Sequence, residues 1–98
     1  MLKKKYSKDG KRCRVTFDLT QDAKAETAYL CGDFNDWDKR ALPMKRRKNG
    51  SYYVGVTVEV GQEYRFRYWL DDQRWENDWE ADAYAPNDFG TEDSILKV

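Results

Sequence analysis

Residues 61–71 read Gly-Gln-Glu-Tyr-Arg-Phe-Arg-Tyr-Trp-Leu-Asp and alternate aromatic or aliphatic side chains with mostly charged ones. Because successive side chains of a β-strand point to opposite faces, this segment predicts a strand with an apolar inner face. The inner face is expected to hold Tyr64, Phe66, Tyr68 and Leu70. The outer face is expected to hold Arg65, Arg67 and Trp69. The segment is therefore predicted to be one half-buried strand of an antiparallel sheet.

The same period of two recurs on both sides of this strand, and no helical period runs through the chain. Further strands are predicted where apolar residues alternate, within residues 15–19, 28–30, 52–58 and 94–98. Residues 22–26 and 79–84 could each hold a helical turn, and residues 80–90 are expected to form a loop. Short strands separated by turns about every 8–12 residues are typical of an antiparallel β-sandwich. The sequence therefore predicts an all-β fold.

We expect one domain, because the 98 residues of the chain fall within the range of about 50–200 that a single core spans. Residues 1–12 are expected to form a basic, mobile N-terminal arm, and residues 13–98 the β-sandwich. A basic arm can contact nucleic acid or a membrane. Only Tyr6 supplies an aromatic ring there, so we expect a solvated terminus and neither of these two partners.

The composition excludes several kinds of chemistry. Without His, neither an ordinary zinc site nor a Ser-His or Cys-His nucleophile can be assembled, and we expect no metal and no cofactor. The carboxylates within residues 71–72, 78–82 and 92–93 lie in predicted turns and loops, where we expect them to be solvated. A glycosidase needs two carboxylates about 5–9.5 Å apart across a cleft, and a sandwich this short has little room for one. We therefore expect a non-catalytic protein.

The location of the protein is predicted from its apolar runs and its cysteines. No apolar run approaches the roughly 20 residues that span a bilayer, and the basic start lacks the apolar core of a signal peptide. Cys13 shares a face with Val15, whereas Cys31 lies opposite the face of Leu30, so the two thiols are expected to point apart. Reduced cysteines and the absence of an export signal predict a cytoplasmic protein.

Two of the four tryptophans, Trp37 and Trp75, lie in polar segments that the strand pattern does not use. An indole offers a wide apolar plate with an N–H at its edge, and the sugar rings of α-glucans present matching C–H faces ringed by hydroxyls. With polar side chains nearby, the pair could form a glucan-binding surface, and the polar candidates are Arg67, Asn77 and Asp93. Alternatively, both rings plug the ends of the sandwich. For Trp69 and Trp79 we favour such a structural role.

Several strings in this order carry a resemblance to a known family. They are Gly32-Asp33-Phe34-Asn35-Asp36-Trp37, Gly61-x-x-Tyr64-Arg65-Phe66-Arg67-Tyr68, Trp75-x-x-Asp78 and Asn87-Asp88-Phe89-Gly90. The chain resembles the family 48 carbohydrate-binding modules over about residues 13–98. These modules include the glycogen-binding domain of the AMP-activated protein kinase beta subunit. The N-terminal early-set domains of isoamylases and glycogen branching enzymes are related to them.

The resemblance implies an immunoglobulin-like β-sandwich of the early-set type that binds α-1,4-glucans such as glycogen, starch or maltooligosaccharides. It implies that Trp37 and Trp75 clamp the glucan with Arg67 between them, that Phe89 presses on a sugar ring, and that Thr91 and Asp93 bond hydroxyls. Two features depart from the family. Asp93 replaces an Asn and, when ionised, can accept but not donate, and the turn before Trp75 looks one residue longer.

A second interpretation uses the same side chains for another purpose. Trp, Tyr and Arg are also favoured at protein–protein hot spots. The chain could thus be a protein-interaction or scaffold domain of a glycogen-metabolism or kinase-like assembly that has lost sugar binding. Its partner would be an enzyme or a kinase subunit that contacts the aromatic residues and the basic residues 45–48. Titration with maltoheptaose distinguishes the two, since only a sugar-binding surface should respond.

Overall fold

The alternating segments of the sequence pair into two antiparallel sheets. The computed structural model describes residues 2–98, apart from the side chain of Asp22. Over this range it contains nine strands, namely β1 Leu2–Tyr6, β2 Arg12–Leu19, β3 Ala28–Gly32, β4 Lys45–Arg46, β5 Tyr52–Glu59, β6 Glu63–Leu70, β7 Arg74–Glu76, β8 Ala83–Pro86 and β9 Glu92–Lys97. Short 3-10 helices cover Gln21–Ala23 and Asp33–Asn35.

The two sheets differ in strand order. One sheet has the order β1-β2-β5-β4, and the other has the order β3-β6-β9-β8. Strand β7 pairs with the end of β6, so that Trp75 lies opposite Trp69. The predicted antiparallel β-sandwich, which the family resemblance describes as immunoglobulin-like, is confirmed.

The core lies between the sheets and is built from the inward-facing residues of the long strands. Strands β2 and β5 pair along their whole lengths, with Phe17 opposite Val54. In β6 the alternation is as predicted, because Phe66, Tyr68 and Leu70 have no exposed surface. The intervening Arg65 and Arg67 are only half-buried. The outer face of β6 is therefore available to carry a functional site.

The N-terminal residues differ from the expected mobile arm. Leu2–Tyr6 forms β1, which pairs antiparallel with β2 from Leu2 opposite Phe17 to Tyr6 opposite Cys13. Leu2 packs against the core, and the ammonium of Lys4 lies 2.7 Å from a carboxylate oxygen of Asp82. Backbone pairing, one apolar contact and one ion pair thus place this charged segment in the sheet. Within the described residues, the sandwich therefore includes Leu2–Tyr6 and is not confined to residues 13–98.

The segment between β7 and β8 differs from the expected solvated acidic loop. Asp78 is only 2% exposed, and its carboxylate accepts hydrogen bonds from the Tyr68 hydroxyl at 2.7 Å and the Glu80 N–H at 2.8 Å. Residues 80–90 contain strand β8, and residues 79–84 contain a turn at residues 79–80 but no helix. Asp78 can be buried because protein donors replace water around its carboxylate.

Both cysteines are free, as predicted, and both are buried. The Cys31 thiol lies beneath the loop that follows β3, with its sulfur 3.4 Å from the backbone oxygen of Asp38. Burial raises the pKa of Cys31 to about 11. This thiol therefore stays protonated at neutral pH and behaves as a small apolar side chain.

Candidate functional site

A cavity of about 670 Å³ opens on the outer face of the sheet that contains β6 and β9. We call it the main cavity, and it is lined by Trp37, Arg65, Arg67, Trp75, Pro86, Asn87, Asp88, Phe89, Thr91 and Asp93. The structure thus brings together six of the seven residues that the sequence analysis selects. The seventh, Asn77, lies outside this group. Four residues of the group are not among the selected ones, namely Arg65, Pro86, Asn87 and Asp88.

Trp37 is held by a tightly bonded loop after β3. Asn35 organises this loop, since its side chain accepts from the Gly32 N–H and donates to the Leu30 carbonyl, both at 3.0 Å. The backbone N–H of Trp37 then donates to the Gly32 carbonyl at 2.9 Å. Asp36 and Trp37 both adopt left-handed conformations, with φ of 54° and 58°. Such conformations are costly for non-glycine residues, so the hydrogen bonds of the loop hold the indole in place.

Trp75 follows the turn that the sequence analysis expects to be one residue longer than in the family. Asp71 and Asp72 occupy this turn with φ of 53° and 55°. The Asp71 carboxylate accepts the Thr27 N–H at 3.0 Å and the Glu26 N–H at 2.7 Å. These backbone hydrogen bonds hold the pKa of Asp71 below its ordinary value. The turn is therefore hydrogen-bonded to Glu26 and Thr27, just before β3. It leads into β7, which contains Trp75.

The indole of Trp75 packs against Trp69 and lies near the Lys39 ammonium. Its ring centroid lies 4.7 Å from that of Trp69, its cross-strand partner, at an interplanar angle of 53°. The ammonium of Lys39 lies 4.1 Å from the Trp69 centroid and 5.5 Å from the Trp75 centroid. Trp69 therefore has the structural role that the sequence predicts, and Lys39 adds cation–π contacts that the sequence analysis did not foresee.

Trp37 and Trp75 line the main cavity together. Their ring centroids are 6.2 Å apart, and their planes meet at 72°. Both residues are half-buried, so neither ring is sealed in the core. The guanidinium of Arg67 lies 5.6 Å from the Trp75 centroid, and its Nη1 is 3.5 Å from the Thr91 hydroxyl. The cavity therefore has two apolar walls at an angle and a cationic group beside them.

Another part of the cavity lining is organised by Asn87, which the sequence analysis did not select as a site residue. Its side-chain oxygen accepts the backbone N–H groups of Phe89 at 2.9 Å and Thr91 at 3.2 Å. Its amide N–H group donates to the Thr91 hydroxyl at 2.8 Å and to Asp93 at 3.0 Å. An Asn that starts a turn ending in Gly90 is a usual signal for such side-chain-to-backbone bonding. Asn87 therefore fixes the loop that presents Phe89.

Asp93 is not the solvated carboxylate that its predicted loop position suggests. It is 6% exposed, and its second oxygen accepts from the Arg65 guanidinium at 3.2 Å. Because Asn87 occupies the first oxygen, both acceptors of Asp93 are used within the protein. Burial is possible because these charge-assisted bonds replace hydration. Asp93 lines the main cavity chiefly as the anchor of Arg65 and Asn87.

Asn77 faces a neighbouring cavity, which we call the edge cavity. This cavity is lined by Asn77, Tyr84, Pro86, Gly90, Thr91 and Glu92. The Asn77 side chain donates to the Glu92 carbonyl and accepts from the Ser94 hydroxyl, both at 2.9 Å. Nearby in sequence, Trp79 is 53% exposed, and its indole donates to Glu76 at 3.1 Å. Trp79 is therefore less buried than its predicted structural role implies, and it lines neither cavity.

Two further searches concern metals and membranes. Within the described residues, no group of three or more Cys, Asp or Glu side chains is placed to hold a metal ion. Among the helices found between residues 2 and 98, none is long and apolar enough to cross a membrane.

Comparison with known proteins points to one family. The family model described as carbohydrate-binding module 48 (isoamylase N-terminal domain) matches residues 6–85. The match includes the segments that carry Trp37 and Trp75 and ends before the Asn87 loop. Over 75 residues, which are 74% of this chain, the sequence is 35% identical to the 1,4-alpha-glucan branching enzyme GlgB of Aquifex aeolicus (strain VF5). The aligned stretch is 11% of the length of that enzyme.

Proposed function

The chain belongs to the carbohydrate-binding module 48 family, and from this premise we propose that it binds α-1,4-glucans through Trp37 and Trp75. Modules of this family are non-catalytic, so the domain that the structure describes is a binding module and not a catalytic domain. The proposed ligands are glycogen, starch or maltooligosaccharides, and the proposal requires no cofactor. A cytoplasmic location is part of the same proposal.

One observation carries the proposal, namely the two indoles that wall a single cavity with their centroids 6.2 Å apart. The C–H face of a sugar ring can lie against an indole face, while its peripheral hydroxyls need donors and acceptors. The main cavity offers the guanidinium of Arg67 and the hydroxyl of Thr91 beside the rings. An apolar cleft with a few placed polar groups is the usual form of a small-molecule site.

The angle between the rings supports a curved ligand. Because the two indole planes meet at 72°, two sugar rings stacked on them must also be turned relative to each other. An α-1,4 linkage turns each glucose relative to the last, so that the chain coils. A β-1,4-linked chain is a flat ribbon that presents coplanar rings. The geometry of the Trp37–Trp75 pair therefore favours α-linked over β-linked glucans.

The expected affinity is modest. The main cavity is open to solvent and can contact only a few sugar units, although its β-strands and bonded loops are already ordered before binding. Preorganisation reduces the entropic cost of association, but the small contact area limits the gain. We expect dissociation constants on the order of micromolar to millimolar for maltooligosaccharides.

Titration with maltoheptaose tests the proposal, with tryptophan fluorescence as the readout. We expect a saturable change in emission, because both indoles of the pair would be covered by sugar. Cellohexaose serves as the matched control and is expected to cause little change. No response to maltoheptaose, or an equal response to both sugars, would contradict the proposal.

One observation favours the alternative of a protein-interaction domain that recruits an enzyme or kinase subunit. Phe89 is 91% exposed at the tip of the loop between β8 and β9. Phe is among the aromatic residues enriched at protein interfaces, and a ring this exposed has little contact within its own protein. A fluorescence response to maltoheptaose decides between the two, and its absence would make the protein-interaction function the preferred one.

A further inference from the structure

The edge cavity adjoins the main cavity at the hairpin formed by β8 and β9. Both cavities are lined by Pro86 and Thr91, which stand at the two ends of the connecting loop. The edge cavity has a volume of about 730 Å³ and is open to solvent, as the main cavity is. A chain that is bound in the main cavity and extends past Thr91 therefore reaches the edge cavity.

The strand register places the two cavities on opposite faces of this hairpin. Ala85 lies opposite Asp93, whereas Tyr84 lies opposite Ser94. Since neighbouring residues of a strand point to opposite faces, the Asp93 side faces the main cavity and the Tyr84 side faces the edge cavity. A straight ligand can touch only one of these faces. A chain that coils, as an α-1,4-glucan does, can pass around the end of the hairpin and touch both.

Tyr84 gives the edge cavity an aromatic surface of its own. The residue is 44% exposed, and its hydroxyl donates to the Asp78 carbonyl. Because Asp78 is itself buried, this bond ties the far end of the Tyr84 ring to a fixed part of the core. The ring is thus held in one orientation before any ligand arrives, with part of its surface open to solvent. A preordered, partly exposed aromatic ring is suited to stacking against a sugar.

Polar groups surround this ring at the edge cavity. Asn77 uses one amide N–H for the Glu92 carbonyl and one lone pair for the Ser94 hydroxyl. An amide has two N–H donors and two oxygen lone pairs, so one donor and one acceptor of Asn77 remain. The exposed carboxylate of Glu92 supplies further acceptors. These groups match the alternating donor and acceptor demands of glucose hydroxyls.

From these observations we propose that a bound α-glucan continues from the main cavity around the β8–β9 hairpin into the edge cavity, where Tyr84 is a second stacking surface. This inference rests on the proposed function. It implies a preference for long chains, because a short oligosaccharide that fills the main cavity does not reach Tyr84. One additional aromatic contact should strengthen the binding of a long chain by about three- to tenfold.

Calorimetric titration of the parent and of Tyr84→Ala with maltotriose and maltodecaose tests the inference. We expect the parent to bind maltodecaose about three- to tenfold more tightly than maltotriose. Tyr84→Ala should lose this advantage and bind maltotriose as the parent does. Tyr84→Phe, which keeps the ring but loses the bond to the Asp78 carbonyl, should keep most of this advantage. Tyr6→Ala is the matched control, because Tyr6 is 50% exposed and lines neither cavity.

The outcomes separate this inference from the proposed function. If the parent binds neither sugar, the proposed function fails. If the parent binds both sugars equally, or if Tyr84→Ala keeps the advantage of maltodecaose, the second stacking surface is wrong and the main-cavity site stands. Should Tyr84→Ala not fold, Glu92→Ala provides the same comparison. A maltodecaose affinity of Glu92→Ala within twofold of the parent would then overturn the inference.

Discussion

The indole N–H of Trp37 donates a hydrogen bond to a carboxylate oxygen of Asp33, over 3.1 Å. The other oxygen of Asp33 accepts the backbone N–H of Arg65 at 2.8 Å. One carboxylate thus joins the Trp37 loop to strand β6, which carries Arg65 and Arg67 of the main cavity. Because the indole N–H is used inside the protein, Trp37 has its ring face and not its N–H to offer a ligand.

Removing this carboxylate should therefore weaken binding without unfolding the protein. In Asp33→Ala, Trp37 and Arg65 each lose one hydrogen bond, at about 1 kcal/mol of stability apiece. We expect a several-fold loss of affinity for maltoheptaose, measured by calorimetry, since the indole is free to leave its position. Glu80→Ala removes an exposed carboxylate outside the main cavity and should bind as the parent does. Unchanged binding by Asp33→Ala would show that the indole needs no such anchor.

Truncation of either indole tests the sugar-binding surface itself. Trp37→Ala and Trp75→Ala should each weaken binding of maltoheptaose at least about tenfold, or about 1.4 kcal/mol, because each removes one wall of the main cavity. Trp75→Ala should also be the less stable of the two, since its ring packs 4.7 Å from Trp69.

Trp79→Ala is the matched control for these variants. Trp79 is 53% exposed and lies outside the main cavity, so retention on immobilised glycogen should be unaffected. Circular dichroism of each variant checks that it is folded. Parent-like retention of both folded Trp37→Ala and Trp75→Ala would exclude the main cavity as the sugar site.

Asn87→Ala should act through the loop that it organises. The substitution removes the acceptor for the Phe89 and Thr91 N–H groups, so the loop should lose its fixed shape. We expect weaker maltoheptaose binding together with a stability loss of about 1–2 kcal/mol in urea unfolding. Asn49→Ala is the control, because it removes a turn bond to the Ser51 N–H and Asn49 lines neither cavity. A loss of affinity in both variants would point to a general effect of stability.

The buried Tyr68–Asp78 pair predicts a fall in stability in alkali. Burial and the adjacent Asp78 carboxylate raise the pKa of Tyr68 well above its ordinary value of 10.0. Above pH 10 the Tyr68 hydroxyl loses its proton in the unfolded chain. In the native state it keeps the proton, because its pKa is raised. The free energy of unfolding should therefore decrease as pH rises, by up to about 1.4 kcal/mol per pH unit from this residue. Below pH 10 Tyr68 is protonated in both states, so its contribution to the free energy of unfolding is fully present.

Urea unfolding at several pH values between about 9 and 11 measures this slope. Tyr68→Phe cannot ionise and should show a shallower fall than the parent. It should also be less stable at neutral pH, because Asp78 loses its hydroxyl donor at 2.7 Å. Parallel slopes for the two proteins would show that Tyr68 does not titrate differently in the native and unfolded states.

Local patterns in the sequence predicted the long strands and singled out two candidate site residues. The alternation in β6 predicted that Phe66 and Tyr68 are buried while Arg67 faces outward, and the structure confirms it. Trp37 and Trp75 stood out because they lie in polar segments. Local sequence patterns gave wrong predictions where the structure of a segment depends on residues distant in the sequence. The charged Leu2–Tyr6 segment becomes a strand through pairing with β2, and Asp78 is buried because Tyr68 and Glu80 donate to it.

The amino-acid sequence by itself determined the all-β class, the faces of the long strands and the identity of the aromatic side chains, since these depend on residues a few positions apart. Only the tertiary structure decided the 72° angle between Trp37 and Trp75, the occupied carboxylate of Asp93 and the position of Asn77 at the edge cavity. Each of these depends on the distance between residues from different strands. The alternation of apolar and polar residues in a strand predicts which face a side chain occupies. It does not predict which side chains of other strands it contacts.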